Sequence, residues 1–215
     1  MKTIAIICAK DEDESVKSVA IKTKKYVDEV IVIDDGSKNP IELFDIGEKI
    51  FVFRNDINEG KGYSMKMGAN LAKLHKADYF IFVDGDAQHD PKYIPDMLTL
   101  LNRNDFVKAY RCYEEMPWLK RFGNKGLSTI FQILFNMYVF DSQCGFKAYN
   151  KKSIKTLLNC KEDGYEIEIE QLINIKKDKV RIVQYPIFVN YLTPETRPAH
   201  GLHIGWTMLK KRIFG

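Results

Sequence analysis

Two carboxylates one residue apart, Asp84 and Asp86, are the feature of this sequence best suited to chemistry. They follow the apolar run 79–83, which is typical of a buried strand, so both side chains should lie in one cleft at its end. Oxygen ligands of this kind suit Mg²⁺ or Mn²⁺, particularly where phosphates complete the shell, and the ion could stabilise a departing diphosphate. A turn rich in Asp and Gly is the alternative. The preceding strand and the Gln-His-Asp-Pro segment 88–91 favour the metal site.

Acidic and small residues also follow a second apolar run, 29–33. This run ends in Asp34, Asp35, Gly36 and Ser37. A carboxylate at the end of a strand can accept hydrogen bonds from the base or ribose of a nucleotide. The competing interpretation is an ordinary β-turn, in which these residue types are favoured for backbone reasons.

A third cluster, Asn58-Glu59-Gly60-Lys61-Gly62, precedes a segment with helical spacing. Free backbone N–H groups at the start of a helix, with the Lys61 cation beside them, could bind an anion. The spacing of a Walker A loop is absent. A plain turn that starts the helix is the alternative.

These clusters are positioned by strands that alternate with helices. We predict strands at 3–8, 29–33, 49–53, 79–83, 105–109 and 180–184, and helices at 14–26, 62–76, 91–101, 118–138 and 166–176. Such alternation predicts an α/β fold with a mostly parallel, Rossmann-like sheet flanked by helices. Its active groups should gather at the carboxyl ends of the strands, where the three clusters fall.

Composition narrows the class of protein. The chain has 215 residues, of which 45% are hydrophobic and 29% charged, so we predict a single folded domain over 1–215. A net charge of +4 is too small to indicate nucleic acid as a partner. The four cysteines match no zinc pattern and are interpreted as buried thiols in a reducing compartment.

No membrane-spanning segment is predicted, because the longest apolar stretch, 127–140, is interrupted by polar residues. No signal peptide is predicted either. The tail 200–215 is interpreted as an amphipathic helix that either lies on a membrane surface or docks on the domain. We therefore expect a cytoplasmic protein that could sit at the cytoplasmic face of a membrane.

The clusters, taken in this order, resemble those of the family 2 glycosyltransferases, which adopt the GT-A fold. The resemblance spans residues 3 to about 190 and is carried by the segments 6–12, 32–37, 58–62, 84–91, 141–147 and 185–187. Within that family, the Gln-His-Asp-Pro element and the Asp-Ser-Gln-Cys-Gly-Phe-Lys element at 141–147 look most like the dolichyl-phosphate mannose and glucose synthases.

The resemblance implies an inverting transfer of a hexose from a GDP-mannose or UDP-glucose type of donor to a dolichyl or polyprenyl phosphate. It assigns the donor nucleotide to Ala9, Asp11, Glu12, Asp34, Asp35, Lys61 and Asp84, and the Mg²⁺ or Mn²⁺ ion to Asp84, Asp86 and Gln88. It places Asp141 near the reacting centre, Arg111 and Arg121 near phosphate groups, and Arg197 near the acceptor phosphate. The first loop departs from the family pattern, since Cys8, Lys10 and Asp11 replace its usual Pro, Tyr and Asn.

The nature of the acceptor decides which residues are needed. A phosphate acceptor is already anionic and needs cations to offset repulsion, which arginines supply well. A saccharide hydroxyl would need a carboxylate base, with Asp141, Glu166, Glu168 and Glu170 as candidates. Three further hypotheses remain at this point: a saccharide hydroxyl as acceptor, a sugar-phosphate nucleotidyltransferase, and a non-catalytic binder of nucleotide sugars.

Overall fold

The chain folds around a seven-stranded sheet. This computed structural model describes residues 1–42, 48–112, 118–189 and 198–214. The strands are β1 (Thr3–Ala9), β2 (Glu29–Asp34), β3 (Ile50–Arg54), β4 (Tyr79–Asp84), β5 (Phe106–Arg111), β6 (Lys147–Asn150) and β7 (Ile182–Ile187). Their order across the sheet is β3, β2, β1, β4, β6, β5, β7, and only β6 runs opposite to its neighbours. The predicted α/β fold with a mostly parallel sheet is therefore confirmed.

Helices cover both faces of this sheet. They are α1 (Asp13–Lys24), α2 (Lys61–Leu74), α3 (Ile94–Leu101), α4 (Trp118–Phe135), α5 (Lys155–Leu158), α6 (Ile167–Lys177) and α7 (Pro198–Phe214). Alternate strand residues face the two sides: Ile4 and Ile6 pack with α2 and α4 to α7, while Ala5 and Ile7 pack with α1 and α3. Strands that are apolar on both faces form because each face is buried beneath helices.

The strand register brings the predicted clusters to one edge of the sheet. Ala9 at the end of β1 pairs with Asp34 of β2, and Cys8 pairs with Asp84 of β4. The loop after β2 then approaches the loop before α2 closely. A Cβ on Gly36, where φ is +67°, would lie 2.5 Å from the carbonyl carbon of Ile57, so only glycine fits.

The second half of the chain differs from the predictions in four elements. Strand β6 and the short helix α5 were not predicted, since a four-residue strand that begins with a lysine has little apolar signal. Helix α4 ends at Phe135 and not at 138 as predicted, because the next residue, Asn136, takes a left-handed conformation with φ of 46°. Strand β7 lies at the sheet edge and extends through Pro186, which an edge strand tolerates.

Three expectations about the remaining chain can be compared with the structure. Cys144 and Cys160 are buried free thiols as predicted, whereas Cys8 and Cys112 are partly exposed. The tail forms α7, and its residues Ile204 and Met208 are buried in the core. Within the described ranges, no helix has both the length and the apolar character needed to cross a membrane.

Candidate active site

Asp84 ends β4 and lies among positively charged and polar partners. Its Oδ1 is 2.7 Å from Lys61 Nζ, and its Oδ2 is 3.5 Å from His89 Nδ1. Burial opposes ionisation, but Lys61 and His89 outweigh it and hold the pKa of Asp84 well below its ordinary value. On its remaining side the carboxylate lies against Gly145, where an added Cβ would be 2.0 Å from Oδ2. Asp84 is therefore an ionised carboxylate in a tightly fitted position.

Asp86 and Gln88 lie in the turn that follows. The backbone N–H of Gln88 donates to Asp86 Oδ1 at 3.0 Å, and the Gln88 side chain is buried. Among the described residues, no group of three or more His, Cys, Asp or Glu side chains could hold a metal ion on its own. Two carboxylates supplemented by phosphate oxygens and water are nevertheless a donor set that Mg²⁺ accepts. The residues present therefore fit a divalent ion that binds together with a diphosphate.

Lys61, at the first position of α2, connects Asp84 to a buried charge cluster. Its Nζ is 3.5 Å from Glu168 Oε1, and Glu168 in turn pairs with Lys147 and lies 3.8 Å from Lys108 Nζ. Both of these further lysines are fully buried. Burial lowers the pKa of Lys147 to about 8, although Glu168 opposes this. The three lysines outnumber the two acids, so the cluster favours an anion nearby.

His89 links this cluster to the segment that carries Asp141. Its Nε2 lies 3.7 Å from Cys144 Sγ, and its ring packs against Phe146. Burial lowers the pKa of His89 to about 4, despite the nearby Asp84 carboxylate, so the ring is neutral near pH 7. In the sequence, His89 belongs to the Gln-His-Asp-Pro segment that follows Asp86.

The loop after β2 is stabilised by its two aspartates. Asp34 is fully buried, accepts from the backbone N–H of Ser37 at 2.9 Å and of Ile41 at 3.2 Å, and pairs with Arg54. Burial alone would raise the pKa of Asp34, but these hydrogen bonds hold it below its ordinary value. Both carboxylate oxygens of Asp34 are thus already occupied by contacts that stabilise the loop. The assignment of Asp34 to the nucleotide stays a prediction.

Asp35 joins this loop to the third cluster. Its Oδ1 accepts from Asn55 Nδ2 at 2.8 Å and from the N–H of Glu59 at 3.0 Å, and its Oδ2 accepts from the N–H of Gly60 at 2.9 Å. The carboxylate therefore fixes the start of α2, where Lys61 follows. Sequence reasoning placed these clusters at one edge of the sheet, and the structure brings them into contact.

The loop after β1 lies at the same edge of the sheet and contacts its neighbours there. The carbonyl of Ala9 accepts from the N–H of Asp35 at 2.9 Å. Asp11 adopts φ of 56°, and its Oδ1 accepts from the N–H of Lys38 at 2.8 Å. Glu12 lies beside Gly85, because a Cβ there would be 3.3 Å from Glu12 Oε2. The predicted nucleotide residues of this loop thus border both the β2 loop and the Asp84 turn.

Asp141 and Arg111 form a buried two-point ion pair. Arg111 Nε is 2.6 Å from Asp141 Oδ2, and its Nη2 is 3.1 Å from Oδ1, which also accepts from the N–H of Gln143 at 3.0 Å. Burial would raise the pKa of Asp141, but the Arg111 guanidinium outweighs it and lowers that pKa. Arg121 lies exposed in α4, and Arg197 falls outside the described residues.

The acids of α6 and its N-cap lie beside basic side chains. Glu166 lies 3.0 Å from His203 Nε2, and Glu170 lies 2.9 Å from Lys211 Nζ. Glu168 and Glu170 are both buried. The sequence could not show their partners, because Lys147 of β6 and the α7 residues are distant along the chain.

Comparison with known proteins gives matches over most of the chain. The sequence model of the family described as glycosyl transferase family 2 matches residues 5–158. A UDP-N-acetylglucosamine–dolichyl-phosphate N-acetylglucosaminyltransferase of Methanococcus voltae is 30% identical over 212 residues, covering 86% of this chain and 84% of that protein. An undecaprenyl-phosphate 4-deoxy-4-formamido-L-arabinose transferase of Serratia proteamaculans is 24% identical, covering 78% of this chain and 55% of that protein.

A solved structure shares the fold. The crystal structure of glucosyl-3-phosphoglycerate synthase from Mycobacterium tuberculosis, in complex with Mn²⁺, uridine diphosphate and phosphoglyceric acid, matches with a TM-score of 0.76. The match covers 99% of this chain and 78% of that chain at 19% identity, a level that supports common architecture alone.

Proposed function

The chain belongs to glycosyl transferase family 2 and has the GT-A fold, and from that premise we propose that it transfers a sugar from a nucleoside-diphosphate donor to a polyprenyl phosphate. The relative from Methanococcus voltae, whose name specifies a dolichyl-phosphate acceptor, supports the choice of acceptor. We propose further that the donor nucleotide lies along the loops of β1 and β2, with its diphosphate at the Asp84 turn.

The observation that carries the choice of acceptor is the pairing of Asp141 with Arg111. A general base works best when its pKa lies near the operating pH. Both oxygens of Asp141 already accept hydrogen bonds from Arg111, and its pKa is lowered, so Asp141 is a poor proton acceptor. A phosphate acceptor needs no base, because its attacking oxygen carries negative charge at pH 7.

The buried charges also suit a reaction between two phosphate-bearing substrates. Lys61, Lys108 and Lys147 lie around Glu168, and Arg111 pairs with Asp141. Fixed cations offset the repulsion between donor and acceptor phosphates and need no rearrangement during the reaction. Asp84 and Asp86, with Gln88 beside them, would hold a divalent ion, whose contribution is to neutralise the charge that develops on the leaving diphosphate.

Helix α4 provides a surface suited to a lipid. On one face it is tied to the Asp141 segment, since Ser128 Oγ accepts from the N–H of Ser142 at 3.0 Å and Gln132 Nε2 donates to the Val139 carbonyl at 3.1 Å. Its other face leaves large apolar side chains in solvent: Trp118, Phe122, Ile130 and Ile133. Helix α7 packs on α4 and adds Trp206, Leu209 and Ile213. We propose that these side chains contact the membrane that holds the acceptor.

A partition assay tests the proposed acceptor. The protein is incubated with Mn²⁺ or Mg²⁺, a polyprenyl phosphate and radiolabelled UDP-N-acetylglucosamine, UDP-glucose or GDP-mannose in turn. Label from one donor should enter the organic phase only when the lipid phosphate is present. Label that remains aqueous with every donor, but joins an added saccharide alcohol, would contradict the lipid acceptor.

Replacing exposed apolar residues of α4 by aspartate should weaken membrane binding. We expect the double variant Phe122→Asp with Ile133→Asp to bind vesicles containing anionic lipid at least about tenfold more weakly, since burying each apolar side chain contributes about 1.5–3 kcal/mol. Sedimentation with vesicles measures the change. Leu74→Asp is the matched control, because Leu74 at the end of α2 is 76% exposed and Ile133 is 75% exposed. If the double variant and the control bind vesicles equally well, the proposal that α4 contacts the membrane is wrong.

A further inference from the structure

Lys61 lies between two carboxylates and is in close contact with only one of them. Its Nζ is 2.7 Å from Asp84 Oδ1 but 3.5 Å from Glu168 Oε1. Glu168 Oε2 pairs with Lys147 and accepts from Gln171 Nε2 at 2.6 Å. Glu168 Oε1, by contrast, is buried and has no hydrogen-bond partner among the described residues. Buried oxygens without a hydrogen bond are rare in native proteins, so this one calls for a reason.

Asp84 is at the same time the carboxylate that a divalent cation would need. An ammonium group and a metal ion compete for the same oxygen lone pairs and repel each other at short distance. Asp84 has little freedom to turn away from this conflict. A Cβ on Gly145 would lie 2.0 Å from its Oδ2 and 2.5 Å from its Oδ1, so the glycine backbone blocks that side. Lys61 is therefore the group that has to move.

Building on the metal site of the proposed function, we propose that Lys61 is a resident cation that changes partner. It neutralises Asp84 in the metal-free protein and moves to Glu168 Oε1 when a divalent cation binds. Reaching a charge-assisted distance of about 2.8 Å from the present 3.5 Å requires a shift of under about 1 Å. Lys61, Met65 and Asp84 line a small cavity that leaves the side chain room to adjust.

The exchange keeps both carboxylates compensated in both states. A charge that loses its partner in a buried place is strongly unfavourable. Without metal, Asp84 is paired with Lys61 and Glu168 with Lys147. With metal, Glu168 holds Lys61 as well as Lys147, and Asp84 is paired with the ion. The otherwise unexplained Oε1 thus serves as the position that receives Lys61.

Competition by Lys61 should weaken metal binding in the absence of donor. The test is a titration of the protein with Mn²⁺ alone, in which electron paramagnetic resonance measures the concentration of free Mn²⁺. Lys61→Met should bind Mn²⁺ about tenfold more tightly, because a charge-assisted contact of this kind no longer competes. Glu168→Gln should bind it several-fold more weakly, because the displaced lysine loses its second partner. Lys73→Met, an exposed lysine of α2, should match the wild type.

The combination of both changes separates partner exchange from a general effect of charge. If Glu168 acts by receiving Lys61, Glu168→Gln should have almost no effect in the Lys61→Met background. Additive effects would instead indicate long-range electrostatics and would overturn the proposal. Unchanged or weaker Mn²⁺ binding by Lys61→Met would overturn it as well.

A crystal structure of the wild-type protein with Mn²⁺ provides a test that needs no variant to fold. Lys61 Nζ should be within hydrogen-bond distance of Glu168 Oε1, and its contact with Asp84 should be lost. Lys61 remaining on Asp84 with Mn²⁺ bound would overturn the exchange. If Asp84→Asn binds Mn²⁺ as tightly as the wild type, the metal site of the proposed function is wrong. The failure of the proposed function and the failure of the exchange are therefore distinguishable.

Discussion

Asp86→Asn should reduce metal-dependent sugar transfer by at least about 100-fold while the protein stays folded. The amide can still accept the hydrogen bond that Asp86 Oδ1 receives from the N–H of Gln88, so the turn should persist. What is lost is one negative charge of the proposed metal site. Metal ions contribute several kcal/mol to charge stabilisation, and each 1.36 kcal/mol is a factor of ten in rate. Measurements of kcat/KM at rising Mn²⁺ concentration give the loss.

Asp90→Asn is the matched control for this substitution. Asp90 lies four residues further along the same loop, and its Oδ1 accepts from the N–H of Lys92 at 3.0 Å in the same kind of turn. Its side chain is 49% exposed and pairs with Lys92. The control should keep transfer within about twofold of the wild type. Equal losses in both variants would mean that the charge of Asp86 has no special role.

Gly145→Ala should impair metal binding and transfer although it adds a single methyl group. The new Cβ would lie 2.0 Å from Asp84 Oδ2 and 2.5 Å from its Cγ, so the carboxylate has to move. A displacement of about 1 Å at a reacting centre can cost about 100-fold in rate. We expect a loss of that order in kcat/KM, with weaker Mn²⁺ binding measured by titration.

Gly123→Ala provides the comparison for Gly145→Ala. A Cβ on Gly123 in α4 meets nothing within 4 Å, and alanine favours the helix by up to about 1 kcal/mol. This variant should bind Mn²⁺ as the wild type does and unfold at an equal or higher temperature. Circular dichroism is the check that both variants are folded. Wild-type Mn²⁺ affinity in Gly145→Ala would show that Asp84 can be displaced without consequence.

The sequence was most informative where local signals agree with the fold. Strands β1, β2 and β4 are mostly apolar on both faces, and an acidic residue ends or follows each one, so their type and their common edge could be predicted. The family resemblance then supplied the GT-A fold and the enzyme class. Both are confirmed, while the assignments of individual site residues remain predictions.

The sequence was least informative where a partner is distant along the chain. Lys147 and Glu168 form an ion pair between β6 and α6, and the sequence around neither residue predicts that they pair. Gly145 likewise gives no local sign that its missing side chain makes room for Asp84. Burial of charged groups depends on tertiary packing, which hydrophobic periodicity does not record.

The antiparallel strand β6 ties the assembly of this protein to its activity. It lies between β4 and β5, which precede it in the chain, so a nascent polypeptide has made both neighbours before the strand that joins them. Until then, β4 and β5 have unpaired edges that invite association with other chains. Gly145 and Lys147 arrive with β6. The charge cluster can therefore form only after this segment has been synthesised, and we expect a chain that stalls earlier to be both aggregation-prone and inactive.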